Sequence, residues 1–141
     1  MNYTKLLVAT IIGAIISFLS GWLFYGILLK DMMEKAMTSE AAALNKPEPN
    51  LVGIFVSNIV YALLIAYIFE RWAKIRTFMS GATAGALIGL LITAAIDIQF
   101  WALLNMYKDN SFIFIDIAIS GVMGAILGGV VGWYLGFNRK D

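Results

Sequence analysis

Four long stretches of apolar residues alternate with short polar segments along this chain: Leu6 to Leu29, Leu51 to Phe69, Phe78 to Leu104 and Phe112 to Phe137. About 20 residues of helix cross a hydrocarbon core of about 30 Å, so each stretch is long enough to span a bilayer. Inside lipid the backbone N–H and C=O groups find no water and must bond within their own segment. That forces each stretch into a helix, whatever the propensity of its Val, Ile and Gly residues. The pattern predicts an all-α, integral membrane four-helix bundle, with residues 1–141 forming a single transmembrane domain. The first stretch is longer than the apolar core of a signal peptide, and no small-residue cleavage site follows it. It is expected to stay as a span.

One connection is long, Lys30 to Asn50. Its first half predicts an amphipathic helical extension between spans 1 and 2, because Met33, Ala36, Met37, Ala41 and Leu44 recur at helical spacing. The Lys46-Pro47-Glu48-Pro49 stretch then ends the helix. The other turns, Glu70 to Thr77 and Asn105 to Ser111, are short, which predicts antiparallel neighbours.

Charge adds an orientation. Lys5, Arg71, Lys74, Arg76, Arg139 and Lys140 lie on the side of both termini, against Lys30, Lys35, Lys46 and Lys108 on the other. Cytoplasmic loops carry the excess of Lys and Arg, which predicts N-in and C-in. Composition removes whole classes of chemistry. The chain is 61% hydrophobic and 13% charged, against about 45–50% and about 25% in soluble domains. It has no Cys and no His, so thiolate and imidazole ligands and the commonest general base are missing. A net charge of +1 gives nothing to hold nucleic acid. No metal, cofactor or catalytic residue is expected.

Small and polar residues recur at every fourth position. The third span carries Gly81, Gly85, Gly89, Thr93, Asp97, Trp101 and Asn105; the fourth carries Asp116, Ser120, Gly124, Gly128, Gly132 and Gly136. The first has Gly13, Ser17, Gly21 and Tyr25, and the second Asn58, Ala62 and Ala66. Small residues at this spacing let two helix backbones approach. Gly81, Gly85, Gly89, Gly124, Gly128, Gly132, Gly136, Gly13 and Gly21 are therefore the expected helix-packing positions. Asp97, Asp116, Asn58 and Tyr25 all fall within about 10 Å of the outer boundary at about 1.5 Å per residue. With Tyr61, Thr93, Ser120 and Trp101 they make a candidate polar pocket above the glycines. Intramembrane carboxylates cost several kcal/mol, about 2.5–3.5 on insertion scales, and usually face a cavity.

Gly21-Trp22-Leu23 followed by Lys30-Asp31-Met32-Met33-Glu34-Lys35, then Thr93-Ala94-Ala95-Ile96-Asp97 with Ala102-Leu103, then Asp116-Ile117-Ala118, cover most of the chain. Together they resemble small four-span bacterial membrane proteins grouped as a domain of unknown function. The resemblance implies a multi-pass protein of the bacterial inner membrane and supplies no activity.

Two functions compete at this level. Glycine ridges and short loops favour a non-enzymatic packing or accessory protein of the lipid bilayer, assembling as a homo-oligomer or in a larger membrane complex. The two carboxylates favour a small proton- or cation-linked transporter or channel with an outward-facing Asp97/Asp116 pocket. An enzyme is the weakest reading, since no nucleophile accompanies the aspartates.

Overall fold

The computed structural model describes residues 1–137. Six helices follow one another: α1 (Tyr3–Leu23), α2 (Lys30–Ala36), α3 (Ser39–Ala42), α4 (Leu51–Tyr67), α5 (Phe78–Leu103) and α6 (Ser111–Gly136). α1 and α4 each continue into a π-helical turn, Phe24–Leu28 and Ile68–Ala73. Four helices are long and apolar enough to cross a membrane: Tyr3–Leu28, Leu51–Ala73, Phe78–Leu103 and Ser111–Gly136. Local chemistry sets their starts. Asn2, Asn50 and Thr77 accept from the amides of Lys5, Gly53 and Ser80, capping first-turn donors that have no partner inside the helix.

The helices contact one another in the order α4, α1, α6, α5. α1 packs on α4 and on α6, α4 touches α6 more lightly, and α5 rests almost entirely on α6. α4 and α5 make almost no contact with each other, although a short turn joins them. That departs from the neighbour packing expected of the Glu70 to Thr77 turn. The turn does not make a hairpin: Lys74 adopts the left-handed conformation at φ 53° and ends the helix, and α6 takes the place beside α5.

The core lies towards the end where α1 begins and α6 finishes. Ala9, Ala14, Ala62, Ile65, Ala66, Phe69, Leu127, Val131 and Leu135 are fully buried there. Gly13 sits at the junction of three helices, where an added methyl would meet Leu127 and Val131 at 3.0 Å and Ala62 at 3.1 Å. A buried ion pair seals this end. Glu70 is 1% exposed and its carboxylate meets Arg76 at 2.8 Å, while the Asn2 amide donates to it at 3.3 Å. Lys5 donates to the Phe137 carbonyl at 2.6 Å, tying α1 to the end of α6. The cations Arg139 and Lys140 used for orientation lie outside the described residues.

At the opposite end the extension is helical in two pieces, not one. Met37 is extended, and Thr38 caps α3 by accepting from the Ala41 amide at 3.2 Å. A capping Thr offers the backbone an alternative to continuing the helix. The extended residues pair with the α5–α6 loop: Thr38 N–H donates to Met106 O at 2.9 Å, Lys108 N–H to Ala36 O at 2.7 Å, and the Thr38 hydroxyl to Asn105 O at 2.8 Å. The expected stripe is thereby divided, with Ala41 buried and Leu44 exposed. In the same loop the amide and hydroxyl of Ser111 hold the Asp109 carboxylate below the usual carboxylate range.

Candidate functional site

The α5–α6 seam sets the site's geometry. A side chain at Gly81 would strike the Gly128 carbonyl, one at Gly85 the Gly124 carbonyl and one at Gly89 the Ser120 carbonyl; Gly124 and Gly128 meet Gly85 and Gly81 in return. Only hydrogen at these positions permits such backbone approach, and close packing is a main source of helix association in lipid. Gly132 and Gly136 accommodate the carbonyls of Thr77 and Arg76, so the last two ridge glycines receive the turn before α5. Gly121 and Gly129, off the ridge, leave room for Leu90 and Phe78. Gly21 differs from the other expected packing positions. An added methyl would reach only the Met123 side chain, at 3.8 Å, an ordinary contact.

Above the glycines the seam turns polar. Ser17 and Tyr25 of the first span, Ser57, Asn58 and Tyr61 of α4, Thr93 of α5 and Ser120 of α6 line a chamber of about 270 Å³, floored by Met123, Gly124 and Leu127. Ser17 donates to the Asn58 amide oxygen at 2.6 Å, and the Asn58 amide nitrogen donates to Ile54 O at 2.8 Å. Asn58 is thus satisfied by α1 and by its own helix. Asp97 stands one turn beyond Thr93 and Asp116 one turn before Ser120, so the carboxylates continue the chamber's walls towards the loops.

Asp97 and Asp116 are close enough for the charge of one to act on the other. The Tyr25 hydroxyl donates to Asp116, and Asp97 Oδ2 is buried with no hydrogen-bond partner among the described residues. Tyr25 reaches Asp116 from the π-turn at the end of α1; such turns insert a residue and re-aim side chains. Tyr107, in the loop above, senses the same pair: burial first, then the charges of Asp116 and Asp97, push its phenol above the ordinary value.

Of the expected pocket residues, Tyr25, Asn58, Tyr61, Thr93 and Ser120 line the chamber; Asp97 and Asp116 are not among its lining residues but stand one turn from Thr93 and Ser120, with Asp116 bonded to Tyr25. Trp101 does not join them. It is exposed and lines an apolar groove of about 410 Å³ with Ile98, Ile113, Phe114 and Ile117. Ridge residues four apart drift by about 40° per step, so three steps from Gly89 carry Trp101 roughly 120° around and off the seam. Gln99 is exposed as well. The chamber residues Ser17 and Ser57 escaped sequence reasoning as pocket members, although Ser17 stands on the first-span ridge. The Glu70–Arg76 pair was equally hidden, since a six-residue separation across a turn has no periodic signature.

Hydroxyls, one amide and two facing carboxylates make a site that accepts positive charge. A proton shared between Asp97 and Asp116, or a cation beside them, relieves their repulsion. No group of three or more acidic residues suited to a metal ion occurs among the described residues. No curated protein and no solved structure matches the chain. A family model described as "Protein of unknown function (DUF1761)" matches residues 8–132. With that match covering most of the four-helix membrane unit, the chain belongs to the DUF1761 family of proteins of unknown function.

Proposed function

We propose that this protein is a small carrier or channel in which Asp97 and Asp116 exchange protons or cations with a polar chamber between four membrane helices. The observation that carries this reading is the buried, unpartnered Oδ2 of Asp97 beside Asp116. A lone buried acceptor in lipid costs free energy that packing alone does not require. A purely structural carboxylate would be expected to have both oxygens satisfied, as Glu70 is engaged at the other end by Arg76 and the Asn2 amide. The reading includes both termini in the cytoplasm and the bacterial inner membrane as location. Its support is the cluster of Lys5, Arg71, Lys74 and Arg76 at the termini end.

The test is flux into liposomes carrying the purified protein, followed with an internal pH dye under a potassium gradient. Wild type is expected to move protons or potassium above the empty-liposome rate, and Asp97→Asn to abolish that excess. Wild-type liposomes that leak no faster than empty ones would remove the reading.

A second reading is a non-enzymatic accessory or oligomer-forming protein. It is favoured by α5, whose face away from α6 exposes Leu87 and Leu91 and packs on no other helix among the described residues. Cross-linking in native membranes, giving a discrete larger species together with absent flux, would favour it.

A further inference from the structure

The chamber has an opening on its side. α4 contributes Ser57, Asn58 and Tyr61 to its wall and α5 contributes Thr93, yet these two helices barely touch. A cavity walled by two helices that do not meet is open between them, and in a membrane that opening faces hydrocarbon. Ser57 stands exposed at this rim, and its hydroxyl turns back to Ile54 O at 2.9 Å, as a serine facing lipid must do to satisfy itself.

Other groups stand at the two ends of the chamber. Towards the termini the space is filled by Leu127, Val131, Ala62 and Ile65. Towards the loops the Tyr25–Asp116 hydrogen bond links the first span to α6, and the backbone bridge between Met37 and Tyr107 joins the two loops at that end. No cationic side chain lines the chamber. The carboxylates Asp97 and Asp116 stand one turn beyond it, and the opening itself is rimmed by the polar groups of Ser57, Asn58, Tyr61 and Thr93.

We infer that the ligand is an amphipathic ammonium compound dissolved in the bilayer, which enters sideways between α4 and α5. Its ammonium group lies against Asp97 and Asp116, and its apolar tail stays in the gap between the two helices. A bare inorganic cation would have to cross hydrocarbon to use this entrance, at a cost of several kcal/mol, whereas a tail-bearing cation offsets much of that cost by about 0.8 kcal/mol per buried methylene. This inference rests on the cation-handling reading above and narrows it to one ligand class and one route.

The full chain in lipid nanodiscs tests it, with octylammonium and tetramethylammonium as probes and calorimetric titration as readout. Both carry one positive charge, and only the first carries a tail. Octylammonium is expected to bind at least about tenfold more tightly than tetramethylammonium, and Asp97→Asn/Asp116→Asn to lose that binding in the same nanodiscs. Equal binding of both probes, lost together in the double variant, would overturn the amphipathic ligand while leaving the cation reading in place. Binding of neither probe that responds to the double variant, with no flux in liposomes, would overturn both. The route is tested separately with Ser57→Cys, the label being unique because the chain has no cysteine. A lipid-soluble pyrenyl maleimide is expected to label this variant, with octylammonium slowing the reaction, and a sulfonated maleimide added in water is expected not to. Equal labelling by the sulfonated reagent would show that the opening meets water and would overturn lateral entry.

Discussion

The two halves of the α5–α6 seam follow the same spacing of four and do opposite things with it. From Gly81 to Gly89 the ridge carries nothing but hydrogen, and the backbones of α5 and α6 close on each other. From Thr93 to Asp97 the same ridge carries oxygen, and the helices enclose a chamber instead of closing. One periodicity thus builds a clamp at the end near the termini and a polar site at the other. The tight half fixes α5 on α6 alone, which leaves α5 free of α4 and keeps the chamber open between them. Packing and site are therefore linked: the glycine half holds the carboxylates opposite each other without any loop doing so.

The largest effect should come from breaking the clamp. Gly85→Leu would drive a side chain into the Gly124 carbonyl, a backbone atom that cannot rotate away. Overpacking that side chains can absorb costs about 1–3 kcal/mol; a clash with backbone cannot be absorbed in that way, and a loss beyond about 4–5 kcal/mol is expected. Loss of the folded protein from detergent extracts, or a large fall in thermal midpoint, is expected. Gly21→Ala is the control: its methyl finds only the flexible Met123 side chain at 3.8 Å, and its midpoint should match wild type.

Next in size is the seal at the termini end. Glu70→Ala leaves Arg76 without its buried carboxylate partner. Removing one member of a buried pair costs about 3–5 kcal/mol, with the lower figure expected here because the Arg76 side chain is 18% exposed. Denaturation in mixed micelles, compared with Glu70→Gln, reads this directly. The glutamine should recover part of the loss by keeping the bond from the Asn2 amide.

Tyr25→Phe should be milder. It removes the hydroxyl that donates to Asp116, worth about 1.5–3 kcal/mol for a bond to a charged group. Flux is expected to change more than the midpoint. An unchanged flux with a lowered midpoint would mean that Tyr25 only braces α1. Smallest is Thr38→Ala, which uncaps α3 and loses the bond to Asn105 O. About 1 kcal/mol is expected, read as faster hydrogen exchange in residues 36–44 without loss of the helical core.

The four spans were legible because the bilayer imposes its constraint on each segment separately, so length and apolarity suffice. Gly81, Gly85, Gly124 and Gly128 were legible for a similar reason, since glycine repeated at spacing four has few other uses inside a membrane. Lateral order was not. Hydropathy is the same whichever neighbour a helix meets, and nothing in the Glu70 to Thr77 turn indicates that Lys74 would adopt φ 53° and send α5 away from α4. Trp101 was grouped with the pocket by its place on the spacing-of-four ridge, but the drift of that ridge around the helix has carried it off the seam by that level. Tyr25 was read from its place on the first-span ridge, but nothing in the sequence marks the π-turn from which it reaches Asp116. Met37 was read by periodicity alone, and the cap at Thr38 outweighs it.

The central claim is that one half of the seam is for packing and the other for chemistry. Measuring thermal midpoint and liposome flux on the same preparation of Asp97→Asn tests it most directly. Asn keeps the shape of the carboxyl group and removes its charge. The expected result is a midpoint within a few degrees of wild type together with loss of proton or potassium flux. A variant that unfolds well below wild type while retaining wild-type flux would contradict it, and would make Asp97 part of the packing.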